Sequence, residues 1–289
     1  MLCSALLGWR DRLLLLLLLL LLLIVPAVAS AERVISLGGD VTELVDALGA
    51  GDRLIGRDTT SQYPQAALDL PDVGYLRQLS LEGILSLRPD LVLLSDAARP
   101  APLAERLAAA GVRVVRVPHQ QDLAGVEHKI HVIAEALSRQ AAGVELIRAF
   151  QQDVARLQQA TQEHAGWQAV FILNHGGMGA PLVAGQGSSA AQMLDLAGVD
   201  NAAATLQGYR PLSAEGLIQA RPEVVIVTEA GLRALGGEAG LWRLPGVRQT
   251  PAGRAGRYLV VDDLAFLGFG PRTPDELVRL RQALMAFSS

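Results

Sequence analysis

The chain has 289 residues, a formal net charge of −4, 51% hydrophobic residues, 4% aromatic residues and a single cysteine. No strongly basic balance remains to recruit nucleic acid. With Cys3 alone, a disulfide framework, a thiolate metal site and a cysteine nucleophile within the body are excluded.

Residues 1–31 read as a cleavable signal peptide, with an uncleaved membrane anchor as the alternative because the apolar run approaches spanning length. Arg10 and Arg12 precede an almost pure leucine run, Leu13 to Leu23, and small residues at Ala27, Ala29 and Ala31 offer two A-x-A exits. Cys3 lies ahead of the apolar run, so it is not placed as a lipoprotein cysteine. The mature body is then a mildly acidic exported chain of about 258 residues, enough to rest on its hydrophobic core alone. Lys129 is the single lysine, and the other cations are arginines, whose planar forks suit carboxylates.

The body opens with a strand over Arg33 to Leu37, a Gly38-Gly39-Asp40 turn, and a helix from Val41 to Leu48 stopped by Gly49. A short strand at Leu54 to Gly56 enters a polar loop ending at Tyr63-Pro64, and a second loop runs from Leu70 to Gln78. Residues 79–96, LSLEGILSLRPDLVLLSD, then read as a Ser-capped helix, a turn at Arg-Pro and a buried strand. A helix over Leu103 to Ala110 and a strand over Val112 to Val117 come next. From Leu123 to about His164 the apolar spacing is helical, with one helix to about Leu137 and a long one from about Gln140 to Gln162. Strand signals resume at Gln168 to Leu173, leading into Asn174-His175-Gly176-Gly177, and again at Leu182 to Ala184. Ser188 and Ser189 cap a helix ending at Gly198. Residues 212–229, LSAEGLIQARPEVVIVTE, repeat the earlier helix–turn–strand unit. Leu232-Arg233 falls in a Gly-rich loop, Arg257 to Val261 is a strand, and Thr273 caps a final helix to about Phe287.

A unit repeated so far apart implies two similar α/β lobes, each with its own largely parallel sheet. The expected division is an N-terminal lobe over 32–139, a connecting helix over 140–166 and a C-terminal lobe over 167–289, with a ligand cleft between the lobes. A helical connector is stiffer than coil, so lobe movement should be small. Each repeat is preceded by a Tyr and an Arg: Tyr75 and Arg77 in the first, Tyr209 and Arg210 in the second.

The segments ISLGGDVTELVDALG, DVGYLRQLSLEGILSLRPDLVL, FILNHGGM, YRPLSAEGLI and VVDDLAFLGFGPRTP resemble the periplasmic haem-binding proteins of bacterial haem ABC importers over essentially the whole mature chain. GYLRQLS and LNHGGM are specific to the haem branch; the LSxEG…RPD unit is shared with siderophore and cobalamin binders. The resemblance implies haem b, ferric and carried as cargo, held between lobes bridged by one helix. It also implies periplasmic capture, delivery to permease subunits of an inner-membrane importer, and an outer-membrane haem receptor upstream.

By that resemblance Tyr75 is the axial iron ligand. A phenolate oxygen is a hard donor suited to ferric iron, and Arg77 can favour the charged form. Residue type alone leaves open that Tyr75 packs at a lobe edge with Arg77 solvated. His175 comes just after a strand end, where parallel α/β sheets hold ligands, and the resemblance places it opposite the tyrosine as a ligand or pocket wall. Tyr209, Arg210 and Arg233 are candidates for the pocket or the haem propionates, and each could equally be a solvated loop residue. Glu82 and Glu215 hold equivalent places in the two repeats. An acid in a first helical turn stabilises that end; the resemblance adds docking onto permease arginines.

Other groups carry blander readings. Tyr63 reads as a turn residue, and Asp262-Asp263 as adjacent strand residues on opposite faces. His128 and His131, with His119 and His164, read as solvated positions rather than a metal site. Ferric siderophore or cobalamin capture is the alternative on the same fold. A metal-dependent hydrolase is disfavoured because no G-x-S-x-G, H-E-x-x-H or cysteine ligand is present.

Overall fold

The computed structural model describes residues 32–162, 166–174, 181–211 and 213–287; the signal-peptide reading, His164 and His175 lie outside them. Its first sheet is parallel, in the order β2 (Leu54–Arg57), β1 (Val34–Leu37), β5 (Leu91–Ser95), β6 (Arg113–Val117). Every residue of β1 and β5 is buried, because helices cover both faces of a parallel sheet. At the edge, β6 carries Arg113 and Arg116 outward, and such charges keep an open strand edge from pairing with another chain.

The second sheet has a parallel centre of β7 (Gln168–Leu173), β11 (Val224–Thr228) and β12 (Tyr258–Val261), with the short β9 (Asp200–Asn201) parallel to β7. Two antiparallel strands extend it, β8 (Leu182–Ala184) and β10 (Tyr209–Arg210). Both sheets thus belong to one α/β architecture of two lobes, as expected.

The repeat is reproduced atom for atom at its turns. In the first copy Ser80 caps α2 (Leu81–Ser86) by accepting from Gly83 N; in the second Ser213 caps a helix over Ala214–Ala220 by accepting from Gly216 N. Both helices stop at an arginine in the left-handed region, Arg88 at φ 47° and Arg221 at φ 49°, and the proline after it cannot continue a helix. The acid after each proline then pins the neighbouring strand. Asp90 donates its N–H to Arg33 O and accepts from Arg33 N on its carboxylate, at 2.9 Å each. Glu223 does the same with Gln168, at 2.7 and 3.1 Å. The Arg-Pro-acid motif is therefore a strand-docking device, and its repetition reflects two sheets needing the same joint.

Within the first sheet's run, α3 (Leu103–Ala109) connects β5 to β6 and packs on that sheet; between the two sheets in the chain come α4 (Leu123–Ala136) and the long α5 (Gln140–Ala160). Gly143 of α5 sits against α4 so closely that an added Cβ would fall 2.7 Å from that of Ala134.

The two halves are also joined by more than a helix. One buried cluster runs from Val34 and Leu44 through Ile130 and Phe150 to Phe171, Phe266 and Leu284. The first helix, α1 (Gly39–Ala47), leans on the stretch 264–272 of the second lobe. There Lys129 Nζ, wholly buried, donates to Asp40 Oδ2 at 2.6 Å and to the carbonyl of Phe269 at 2.7 Å. Beside it, Arg272 pairs with the buried Glu43 at 2.8 Å.

Several expectations need correction. Leu232 and Arg233 are not in a Gly-rich loop: after α6 (Ser189–Leu196) and α7 (Ala214–Ala220) they lie in α8 (Glu229–Ala234), which is succeeded by α9 (Glu238–Leu241) and α10 (Pro251–Ala255). Short helices separated by glycines carry no periodicity long enough to read. Asp262 and Asp263 are not strand residues. Asp262 caps α11 (Asp263–Leu267), accepting from Ala265 N, and Asp263 accepts from Ala230 N. Thr273 begins α12 (Thr273–Ala286) rather than capping it, and its hydroxyl donates to Ala265 O.

Candidate functional site

Parallel α/β sheets collect ligands outside the carboxyl ends of their strands. In the first lobe those ends are Gly38 after β1, Asp96 after β5, and Pro118 and His119 after β6. A cavity of about 570 Å³ opens there, lined by Arg77, Asp96, Ala97, Arg99, Pro118, His119, Gln120 and His128.

Beside it projects a hairpin of two short strands, β3 (Gly74–Tyr75) and β4 (Gln78–Leu79), paired Gly74 to Leu79 and Tyr75 to Gln78. Gly74 at φ 108° makes the bend into it, a conformation glycine adopts without strain. The hairpin is tied to the cavity wall by backbone, since Arg99 N donates to Leu76 O at 2.9 Å and Leu79 N to Arg99 O at 3.1 Å.

Tyr75 is 42% exposed at this hairpin, and among the described residues its hydroxyl has no hydrogen-bond partner. Arg77, two residues on, is among the residues that line the cavity. His175, the expected partner across the cleft, lies outside the described residues.

The candidates on the second lobe differ in what they already touch. Tyr209 on β10 bonds Ser189 Oγ at 2.9 Å and accepts from Ala190 N at the start of α6. Burial raises its pKa, against those hydrogen bonds; its hydroxyl serves packing inside the lobe. Arg210, next to it, is exposed and donates from Nε to Gln207 O at 3.1 Å. Arg233 is in the last turn of α8, not in a loop, and is 72% exposed on its side chain, with Glu229 one turn back at 3.6 Å. The matched Tyr–Arg pairs before the two repeats are therefore unlike in structure. One tyrosine is free and one is engaged.

Tyr63 lies outside this group: its ring carries the Arg272 guanidinium 3.9 Å from its centroid. Glu82 and Glu215 are exposed in the first turns of their helices. Backbone and Ser80 hydrogen bonds hold the Glu82 carboxyl below its ordinary value.

Sequence reasoning missed Arg99 and Asp96, and it placed His119 and His128 on a plain solvated surface. Both histidines line the cavity, with His128 Nδ1 3.3 Å from Gln120 Oε1. Partial burial lowers the His119 pKa, aided by Lys129 and Arg77 and opposed by Asp40 and Asp96. For Asp96, Arg99 and His119 the positions just past β5 and β6 were the available signal, because a strand's carboxyl end can be read before its neighbours are known. No cluster of His, Cys, Asp and Glu among the described residues could hold a metal ion unaided.

A family model described as "Periplasmic binding protein" matches residues 34–264. Among solved structures, the apo periplasmic haem-binding protein RhuT from Roseiflexus sp. RS-1 is 36% identical, with a TM-score of 0.85 over 90% of this chain and 100% of that one. The periplasmic haem-binding protein BhuT, solved in complex with two haems, is 42% identical, with a TM-score of 0.82 over 88% and 98%. The chain spans 65% and 32% of the length of two curated relatives it matches. The second, a vitamin B12-binding protein of Vibrio vulnificus, aligns over 86 residues at 42% identity, 30% of this chain.

Proposed function

The chain belongs to the periplasmic binding protein family, and from that premise we propose that it captures haem in the periplasm and delivers it to the permease of an inner-membrane ABC importer. As a solute-binding protein it carries its cargo without transforming it. The observation that carries this reading is Tyr75: a solvent-facing phenol with no partner among the described residues, on a glycine-bent hairpin at the ligand-binding edge of a sheet.

The cargo is ferric haem b. Tyr75 supplies the axial oxygen, giving up its proton as iron binds, since metal ligation and deprotonation are coupled. His175, which follows β7 in the sequence, is assigned to the other face of the macrocycle as a second ligand or pocket wall. Arg77, Arg210 and Arg233 are the available guanidinium forks for the propionates. Tyr209, with its hydroxyl held by Ser189, is assigned to the pocket's support. Glu82 and Glu215, exposed at equivalent helix starts, form a two-point contact with permease arginines. Residues 1–31 act as the export signal and are removed, and a haem receptor in the outer membrane supplies the cargo.

Haemin titration tests this directly. Wild type should bind stoichiometrically with a phenolate-to-iron charge-transfer band that Tyr75→Ala abolishes. An unaltered band and affinity in that variant would refute the assignment of Tyr75. The partial match to a vitamin B12-binding protein makes cobalamin the competitor to include: displacement of haemin by equimolar cobalamin would favour that cargo instead.

A further inference from the structure

In strand order the two sheets end on β2, β6, β10 and β12. The first three carry arginine: Arg57 on β2, Arg113 and Arg116 on β6, Arg210 on β10. The fourth, β12, reads Tyr-Leu-Val-Val, with Val260 42% exposed, and so lacks the charge that keeps an edge from pairing. Its backbone edge is also open. Val225 N of β11 donates to Arg257 O at 3.2 Å, and amide groups along a strand point to alternate sides. Those of Arg257, Leu259 and Val261 are therefore turned to β11. Those of Tyr258 and Val260 are turned away from it, where no further strand follows among the described residues. At the strand's end Glu276 Oε1 accepts from Asp262 N at 3.0 Å and closes the edge there.

A groove of about 380 Å³ lies at this edge, with Leu259, Val260 and Val261 of β12 and Leu280 and Ala283 of α12 among its lining. Charge is arranged at the two ends of the strand. Arg257, just before it, lies over the Trp167 ring, 5.1 Å from its centroid. Asp263, just after it, accepts from Ala230 N. Neither has an ion pair among the described residues. A strand with an unpaired cation before it and an unpaired anion behind it is complementary to a reversed copy of itself.

Going beyond the haem reading, we propose that β12 is the contact between two copies of this chain, paired antiparallel across a two-fold axis. Tyr258 of each copy lies opposite Val260 of the other. Every open N–H on one edge then meets an open C=O on the other, and Asp262 N stays with Glu276. Leu259 sits on the axis, opposite itself. The same register sets Arg257 diagonally across from Asp263 of the second copy, within reach of a long side chain. The axis is normal to the joined sheet, so the two α12 helices come together over the groove on one face. A self-complementary contact of this kind closes on itself, and association stops at the dimer.

The test uses the mature chain, residues 32–289, and needs no haem. Sedimentation equilibrium of wild type should give twice the chain mass at high concentration, falling to one chain on dilution. Val260→Arg, which gives β12 the charge the other edges carry, should leave a monomer with an unchanged circular dichroism spectrum. Arg257→Glu should weaken association by at least about tenfold, the scale of one lost charge pair. The register has its own probe, because the mature chain contains no cysteine. Leu259→Cys brings two Cα atoms to about 4.5 Å across the axis, inside the roughly 4.4–6.8 Å that a disulfide spans. Mild oxidation should therefore link that variant into a dimer, while Val144→Cys, exposed on α5, should stay unlinked. A single-chain mass for wild type at every concentration overturns the proposal and leaves the edge to a different extended partner. A dimer that Val260→Arg does not dissociate, or that Leu259→Cys does not link, overturns it as well.

Discussion

Lys129 and Asp40 meet at 2.6 Å in the interior, with the lysine wholly buried and the aspartate nearly so. All three ammonium donors find oxygens, because the carbonyls of Phe269 at 2.7 Å and Gly268 at 3.4 Å complete the shell. Phe269 takes φ 51° at this point, an unusual conformation for a non-glycine residue. The protein's single lysine therefore rivets α1 and α4 to a segment of the second lobe. Lys129→Met should destabilise the fold by about 3–5 kcal/mol, since Asp40 is left as an uncompensated buried charge. Adding Asp40→Asn should restore part of the loss. Chemical denaturation of the two variants measures both effects.

Glu43 and Arg272 form the second tie. Burial pushes the Glu43 carboxyl above its ordinary 4.5, against the hydrogen bond and charge of Arg272. Burial pulls on Arg272 too, but there the Glu43 bond, with Asp262, more than reverses it. A raised carboxyl pKa means the folded state holds the proton more tightly. That contribution is present below pH 4.5 and is lost as pH rises through the higher folded value. Relative to Glu43→Gln, wild type should therefore lose stability across that window. Arg272→Met should cost about 3 kcal/mol at neutral pH, and less in acid as Glu43 protonates. Thermal melts from pH 4 to about pH 8 read the sign.

Gly143 marks where α5 crosses α4. A Cβ there would lie 2.7 Å from that of Ala134, a short side chain that cannot move aside. Gly143→Val should force the helices apart and destabilise by about 2 kcal/mol, in spite of valine's better helix propensity. Equal or higher stability would show that the two helices tolerate separation.

The two exposed glutamates offer a functional test separate from binding. Glu82→Ala with Glu215→Ala should lower haem uptake through the importer while haemin affinity and the absorption spectrum stay at wild-type values. Undiminished uptake would assign both residues to helix stabilisation alone.

The repeated Leu-Ser-x-Glu-Gly…Arg-Pro-acid unit was legible because each of its parts acts locally. A serine caps the next turn, an arginine and a proline end the helix, and an aliphatic run becomes a buried strand. Those are interactions within a few residues, so the chain order alone specified two α/β lobes and a long helix between them. The tyrosine on GYLRQ was likewise visible as a motif, and in the folded chain it is solvent-facing and without a partner among the described residues.

What the chain order could not supply is which distant groups meet. Asp40 and Lys129 are 89 positions apart, and Glu43 and Arg272 are 229 apart. No periodicity links them, yet their burial makes each pairing obligatory. Tyr75 and Tyr209 look alike in sequence, and only packing separates them: one hydroxyl is taken by Ser189, the other is left to solvent. Arg99, His119 and His128 converge because the ends of two neighbouring strands and the start of a helix share one edge of a sheet. Sequence by itself determined the lobes and the joints, since short-range forces set them, and it marked Tyr75 only through a motif. The inter-lobe ties and the cationic wall were decided only by the tertiary structure, because charges far apart in the chain become partners only when folding removes the water between them.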